Sequence, residues 1–108
     1  MSKHYTAVPG PGGSKMFYDD SGKLVGSSVP GLWGSEVFYD QNGKTVGYGT
    51  PGLFEGTSVY TDRDGRQTGS SYPGLFGTTV FQDENGRTRG IGQPGFFDTE
   101  QIDFDGDD

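Results

Sequence analysis

Four aspartates spaced 21 or 22 residues apart are each followed, three positions later, by a glycine, and they form the most regular motif with possible chemistry in this sequence; Asp103 and Gly106 repeat the spacing near the end of the chain. A recurring Asp-x-x-Gly could belong to calcium loops, but no EF-hand-type loop with a closing bidentate glutamate follows any of them. The same two residues suit a chain reversal, because aspartate hydrogen-bonds the backbone two residues on and glycine adopts positive φ. The motif therefore predicts four turns and no metal site, at Asp19 and Gly22, Asp40 and Gly43, Asp62 and Gly65, and Asp83 and Gly86.

Nucleophilic catalysis is not supported by the residue types present. An activated serine or threonine needs a neighbouring base, most often a histidine. The chain has a single histidine, His4, and no cysteine. We therefore predict that the protein is not an enzyme, and we assign it no catalytic residue and no cofactor.

A sequence repeat of 21 or 22 residues places these turns along the chain. A Pro-Gly pair recurs at the same interval, and so does a basic residue directly after each turn glycine. Glu55 is the additional residue in the longer unit. The Pro-Gly pairs begin at Pro30, Pro51, Pro73 and Pro94, and the basic residues are Lys23, Lys44, Arg66 and Arg87.

Each unit has the pattern of a β-hairpin followed by a loop. Aromatic and β-branched residues precede the turn, as in residues 37–39. The return strand is expected to be short and to end at the column of Gly47, after which Pro51 and Gly52 fit the centre of a type II turn. A pair of large apolar residues follows, and we expect these pairs to plug the core: Leu32 and Trp33, Leu53 and Phe54, Leu75 and Phe76, and Phe96 and Phe97.

The predicted fold is all-β, a tandem array of about four β-hairpin repeats of 21–22 residues plus two complementary terminal half repeats. The full repeats span residues 16–97, and the half repeats span 1–15 and 98–108. No helical period is visible, and glycine or proline interrupts every window long enough for a helix. Glycine accounts for 21 of 108 residues and hydrophobic residues for 29%. With so thin a core, one repeat cannot fold alone, and neighbouring repeats must share interfaces.

The run Phe-Tyr-Asp-x-x-Gly-Lys at residues 38–44 resembles the Tyr-Asp repeats of Rhs-type and teneurin-type shells, which carry Tyr-Asp-x-x-Gly-Arg on β-hairpins. It also resembles the aromatic hairpins of choline-binding and glucan-binding cell-wall repeats. The Pro-Gly-Leu-Phe-Gly element belongs to neither pattern. The tryptophan cage of the cell-wall repeats is missing too, because Trp33 is the only tryptophan. The resemblance implies hairpin repeats and assigns no functional residue.

The distribution of charge argues against nucleic acid as a partner. Residues 1–97 contain eight basic and nine acidic residues, which leaves no basic footprint of the kind that nucleic acid requires. The other six acidic residues lie in 98–108, and the net charge of the chain is −7. No apolar run is long enough to span a membrane and no signal peptide is visible. We therefore expect a protein that is cytoplasmic or exported by an unrecognised route.

The two ends of the chain are complementary halves of one repeat. The N-terminal half has a return strand without its outgoing partner, and the C-terminal half has an outgoing strand that stops just past its turn. The ends can be degenerate caps, can pair within one molecule, or can pair between molecules by strand addition. The residues assigned to this contact are Lys3, His4 and Tyr5 at the start and Ile102, Asp103, Phe104 and Asp105 at the end.

These features favour a non-catalytic structural protein. Pairing of the end strands between molecules would be a head-to-tail contact that does not close, and such a contact generates a filament. We therefore expect self-assembly, with other copies of the chain as the partner. The alternative is a monomeric β-repeat module that binds a glycan or a cell-surface polymer.

Overall fold

The computed structural model describes residues 3–95 and 99–104, and this part of the chain contains ten β-strands. Residues 11–13, 32–34 and 75–77 each form a short 3₁₀ turn between strands. The strands, numbered in chain order, are β1 (Lys3–Pro9), β2 (Lys15–Asp19), β3 (Leu24–Pro30), β4 (Glu36–Asp40), β5 (Thr45–Pro51), β6 (Ser58–Asp62), β7 (Gln67–Pro73), β8 (Thr79–Asp83), β9 (Thr88–Pro94) and β10 (Glu100–Phe104).

The ten strands form one closed antiparallel barrel, in which strands that follow one another in the chain lie side by side. The all-β class and the β-hairpins predicted from the sequence are confirmed. The hairpins do not form an open array, because β1 and β10 pair with each other and complete the circle. Closure satisfies the backbone groups that an edge strand would otherwise expose.

Asp40 and Gly43 show how each hairpin turn forms. The Gly43 N–H donates to the Asp40 carbonyl oxygen at 3.0 Å, and φ of Gly43 is 83°. The Asp40 carboxylate accepts the backbone N–H groups of Asn42 and Lys44 at 2.9 and 3.0 Å. The same pattern recurs at the other three turns, where φ is 86° at Gly22, 89° at Gly65 and 84° at Gly86.

A β-bulge follows each turn. In the second hairpin Phe38 pairs with Gly47 and Tyr39 pairs with Thr45, so Val46 is an extra residue on β5. A bulge of this kind bends the strand and re-aims the side chain of the extra residue. The corresponding extra residues in the other hairpins are Val25, Thr68 and Arg89.

Small and large side chains alternate from strand to strand inside the barrel. Phe38 of β4 pairs with Ser28 of β3 on one side and with Gly47 of β5 on the other. The wall can therefore curve round large rings, because each ring faces small residues on the adjacent strands. The buried small residues are Ala7, Gly26, Ser28, Gly47, Gly49, Gly69, Ser71, Gly90 and Gly92.

The return strands are longer than the sequence predicts. β5 continues past Gly47 to Pro51, and its second half pairs with β6. Glycine at position 47 does not end the strand; a Cβ there would lie 2.5 Å from the Thr61 carbonyl oxygen. The glycine column therefore allows the next hairpin to approach closely.

The Pro-Gly pairs do not form the predicted type II turns. Gly31 is extended, with φ of −107°, and positive φ occurs later, at Trp33 (60°) and Gly34 (78°). The Gly31 N–H donates to the Ser35 carbonyl oxygen at 2.8 Å, and the Ser35 hydroxyl donates to the Leu32 carbonyl oxygen at 2.6 Å. Because these bonds close the loop from both sides, a 3₁₀ turn capped by Ser35 replaces the predicted turn.

Candidate functional site: the barrel lumen

A belt of aromatic rings lines the interior of the barrel. Centroids of neighbouring rings lie 5.5 to 6.4 Å apart, which is the contact range for aromatic pairs. The belt crosses the junction of β1 and β10, where Tyr5 packs against Phe104 at 5.9 Å in an edge-on geometry. Its members in order around the barrel are Phe17, Phe38, Tyr60, Phe81, Phe104 and Tyr5.

The belt encloses open space. Its rings are half-buried, and they line a cavity of about 570 Å³. The interior of an eight-stranded barrel is just wide enough for side chains to fill, whereas this barrel has ten strands and small residues on every second one. A cavity of this volume falls within the usual range of small-molecule sites, roughly 300–1,000 Å³.

Three charged side chains line the cavity near the Pro-Gly loops. Lys15, Glu36 and Glu100 each begin a strand and face the same interior space. The Ser28 hydroxyl donates to Glu36 Oε2 at 2.5 Å, and Lys15 Nζ lies 4.0 Å from that oxygen. Two carboxylates and one ammonium leave this end of the lumen with a net negative charge.

Burial raises the pKa of two polar groups in the lumen. The first is Glu100, whose pKa is raised mainly by burial; the Lys15 charge lowers this pKa and the Glu36 carboxylate raises it further. Burial also raises the pKa of Tyr60, whose hydroxyl lies 3.0 Å from Ser71 Oγ. Glu100 therefore takes up a proton at a higher pH than an exposed glutamate does, and Tyr60 remains a neutral hydrogen-bonding group.

The bulge residues line the lumen at its other end, near the hairpin turns. Val25, Val46 and Thr68 contribute small side chains there, together with Arg89. Arg89 Nε donates to Asp83 Oδ2 at 3.0 Å. Hydrogen bonds from the backbone of Arg87 and Asn85, and the Arg89 side chain, lower the pKa of Asp83. Asp83 is therefore held as a carboxylate by its own turn and by one lumen arginine.

The lumen combines aromatic faces with carboxylates. Within residues 3–95 and 99–104, no group of three or more His, Asp or Glu side chains is placed to hold a metal ion. Aromatic faces attract cations through the ring quadrupole, and two carboxylates lie at the loop end of the same cavity. A ligand with an apolar body and one positive group is complementary to both features.

The four predicted turns lie at the end of the barrel opposite the Pro-Gly loops, and their aspartates serve the turns themselves. The Ser21 hydroxyl, which donates to Asp19 at 2.7 Å, and the Lys23 backbone lower the pKa of Asp19. The carboxylates of Asp40 and Asp62 accept two backbone N–H groups each. These side chains organise the hairpins, and Asp83 also binds Arg89 at the lumen wall.

The prediction that the paired apolar residues plug the core is wrong for the pairs that the structure describes. Their exposed fractions run from 76% at Phe54 to 98% at Leu53. The loops lie beyond the ends of the strands, and the interior is already lined by strand residues, so the loop side chains face outward. The exposed residues are Leu32, Trp33, Leu53, Phe54, Leu75 and Phe76, whereas Phe96 and Phe97 lie outside the described residues.

The predicted end residues meet within one molecule. Lys3 pairs with Phe104, His4 with Asp103, and Tyr5 with Ile102, which is buried. The remaining member of this set, Asp105, lies outside the described residues.

His4 forms two of the polar contacts at this junction. Its Nδ1 lies 2.6 Å from Asp103 Oδ1, and its Nε2 lies 2.8 Å from Gln101 Oε1. The hydrogen bond to Asp103, followed by the one to Gln101, raises the pKa of His4. Both ring nitrogens therefore face oxygen acceptors, which is the arrangement that suits a protonated imidazole.

Sequence reasoning did not identify the lumen residues as a site. The repeat did contain a signal for this site. Lys15, Glu36 and Glu100 occupy the same position of their repeats, and each lies two residues before a large apolar residue of its strand: Phe17, Phe38 and Ile102. Residues two apart on a strand share one face. A charge on the face that carries the core aromatics indicates a polar group inside the barrel.

Comparison with known proteins supports the fold alone. No protein-family model and no curated protein matches this sequence. Among solved structures, the chain is similar to a protein of Arabidopsis thaliana known from an X-ray structure, with a TM-score of 0.57 and 12% sequence identity. The similarity covers 95% of this chain and 80% of the Arabidopsis chain. No helix in the described residues is long and apolar enough to cross a membrane.

Proposed function

We propose that this protein is a non-catalytic binding module that holds a small ligand in its lumen. The observation that carries the proposal is a cavity of about 570 Å³ that combines an aromatic belt with two carboxylates. The monomeric alternative expected from the sequence was a module for a glycan or a cell-surface polymer; the function proposed here differs from it, because the ligand is small and lies inside the barrel. The ligand class is an apolar or aromatic body that bears one ammonium group.

The charges of the lumen determine this ligand class. Glu36 is held in place by the Ser28 hydroxyl, while Lys15, at 4.0 Å, is at the limit of an ion pair. A ligand ammonium can therefore interact with a carboxylate without displacing a strong internal ion pair. An anionic ligand of the same shape would be repelled by two carboxylates.

Binding of a matched pair of probes tests this function. We expect naphthylmethylammonium to bind more tightly than the neutral alcohol of the same shape, by roughly tenfold, which corresponds to about 1.4 kcal/mol. Isothermal titration calorimetry of the intact protein measures both affinities. The substitutions Glu36→Gln and Glu100→Gln should remove the preference for the amine and leave binding of the alcohol in place.

Glu55→Gln is the matched control, because Glu55 lies in a loop and does not line the cavity. It should leave the preference for the amine unchanged. Equal affinity for the two probes in the unsubstituted protein would contradict the assignment of the ligand class. Failure of both probes to bind would contradict the lumen as a site.

Self-assembly through the chain ends is the second candidate, and one observation favours it. The pairing of β1 with β10, here called the seam, joins strands from opposite ends of the chain with no connecting loop. The barrel can therefore open at the seam without disrupting any hairpin. In this proposal each chain consists of four hairpin repeats and two terminal half repeats. Strand β10 of one copy pairs with β1 of the next copy, and the repeated contact builds a head-to-tail filament.

A cysteine pair across the seam distinguishes closure from exchange. Thr6 and Gln101 are register partners, and Thr6 Oγ1 lies 3.2 Å from Gln101 Oε1. The chain has no cysteine of its own, so no native thiol competes with the pair Thr6→Cys and Gln101→Cys. Non-reducing electrophoresis should show a single monomer band for the binding module, whereas a ladder of covalent oligomers would support the filament.

A further inference from the structure

Large apolar side chains project into solvent from three neighbouring loops at one end of the barrel. Trp33 is 90% exposed and Phe76 is 94% exposed, so neither contributes its ring to the folded core. We call this set the apolar tips: Leu32, Trp33, Leu53, Phe54, Leu75 and Phe76. None of these residues lines the lumen.

The backbone at two of the tips is strained in order to present an aromatic residue. Trp33 and Phe76 have φ of 60° and 57°, and they are the positive-φ residues other than glycine in the described chain. The corresponding position in the first loop is Gly12, with φ of 69°. Glycine adopts this conformation at no steric cost. An aromatic residue at the same position strains the backbone, and the fold does not require that strain because glycine would fit.

Charge is segregated along the barrel axis. Across the loop segments 31–34, 52–56 and 74–77, Glu55 is the one charged residue. The hairpin turns at the opposite end are rich in both signs of charge, with Asp19, Asp20, Lys23, Asp40, Lys44, Asp62, Arg63, Asp64, Arg66, Asp83, Glu84 and Arg87. The loop segments that carry the tips are therefore nearly free of charge, whereas Lys15, Glu36 and Glu100 at the same end line the lumen.

The polar groups of the loops are already engaged inside each loop. The hydroxyls of Ser35, Thr57 and Thr78 donate to the carbonyl oxygens of Leu32, Phe54 and Leu75. A glycan needs side-chain donors and acceptors beside an aromatic platform, and these loops direct theirs inward. Successive loops lie side by side, since a Cβ built at Gly34 would lie 3.4 Å from Pro51 and one at Gly56 would lie 3.1 Å from Pro73, so the tips form a row along the rim of the barrel.

From these features we propose that the apolar tips insert into the surface of a phospholipid bilayer. Tryptophan and phenylalanine beside leucine are the side chains that partition into the boundary between headgroups and acyl chains. The rigid loops hold the tips ready for insertion, since each is closed by a hydroxyl bond and by a backbone bond. The net charge of −7 predicts stronger binding to zwitterionic than to anionic bilayers, because anionic headgroups repel the chain.

Trp33 provides a direct test, because it is the only tryptophan and lies at a tip. On addition of phosphatidylcholine vesicles we expect its emission to shift to shorter wavelength and to be quenched by bromine-labelled acyl chains. Vesicles that contain phosphatidylserine should give a smaller effect at the same lipid concentration. Emission that vesicles leave unchanged would overturn the proposal, and a shift that depends on protein concentration without lipid would assign the tips to contact between copies instead.

Tip variants separate insertion from folding. Leu53→Ser with Phe54→Ser should weaken partitioning by about tenfold or more, because two buried apolar groups are lost, while Trp33 still reports binding. Phe76→Gly should also weaken partitioning. It should leave the unfolding temperature unchanged or raise it, because glycine adopts the positive φ of this position without backbone strain. Tyr48→Ser, which removes a part-exposed ring from the barrel wall, is the matched control and should partition normally. Normal partitioning of both tip variants would overturn the proposal.

Discussion

At the scale of single residues, Glu100 is the side chain whose environment departs most clearly from that of a surface carboxylate. It lies in the lumen wall, hydrogen-bonds Thr79, and has its pKa raised by burial. A raised pKa in the folded state means that protonation favours folding. The stabilisation is therefore complete below the ordinary pKa of 4.5 and is lost as the pH rises through the raised value.

The raised pKa of Glu100 predicts how removal of its charge affects the stability of the protein. Glu100→Gln should raise the unfolding temperature at pH 7, because the neutral amide avoids the burial of a charge. The gain should shrink as the pH falls towards 4.5, where Glu100 is itself protonated. Thermal unfolding followed by circular dichroism across this pH range measures the difference. A gain that is the same at every pH would show that the effect comes from packing and not from charge.

At the scale of the hairpin, glycine serves two different purposes. Gly65 closes a turn with φ of 89°, and a Cβ added there would meet no atom within 4 Å. Gly47 lies in a strand, where a Cβ would meet the Thr61 carbonyl oxygen at 2.5 Å. The first position is restricted by backbone conformation and the second by the approach of a neighbouring strand.

Substitutions at these two glycines should therefore follow different rules. Gly65→Val should lower the free energy of unfolding by roughly 1–3 kcal/mol, while Gly65→Asn should cost much less, because asparagine tolerates the left-handed region. At Gly47, asparagine should be no better than alanine, since any Cβ meets the carbonyl group. Urea denaturation of the four variants makes the comparison. Equal tolerance of asparagine at both positions would contradict the distinction.

At the scale of the whole molecule, the seam decides whether the chain is one closed body. Its polar contacts include the hydrogen-bonded cluster of His4, Asp103 and Gln101, and Asp20 adds to the negative field around the imidazole. These groups raise the pKa of His4 above 6.5. The imidazolium form therefore stabilises the closed barrel below pH 6.5, and this contribution is lost as the pH rises through the raised value.

The seam should accordingly loosen in mildly alkaline conditions. We expect the unfolding temperature to fall as the pH rises from about 6 to 9, and hydrogen exchange at β1 and β10 to accelerate in the same interval. His4→Gln should flatten this dependence, because the chain has no other histidine. If His4→Gln shows the same pH profile as the unsubstituted protein, the imidazole does not control the seam.

The sequence alone determined the hairpins. Each turn is held by bonds that join Asp19, Asp40, Asp62 or Asp83 to residues no more than four positions away. Such local bonds are specified by residue type and spacing, which is why the turns and the all-β class could be derived from the repeat. The strand pattern before each turn was equally local.

Only the tertiary structure decided how the hairpins are arranged. Phe38 and Gly47 pair across their hairpin and therefore lie on the same face of the sheet. An open array, a closed barrel and an intermolecular chain of hairpins are all compatible with this arrangement. Closure depends on twist and stagger accumulated over ten strands and on pairing between residues such as Tyr5 and Ile102, at opposite ends of the chain. The same closure created the lumen and turned Trp33 and its counterparts outward, because a loop side chain is buried only if another element covers it.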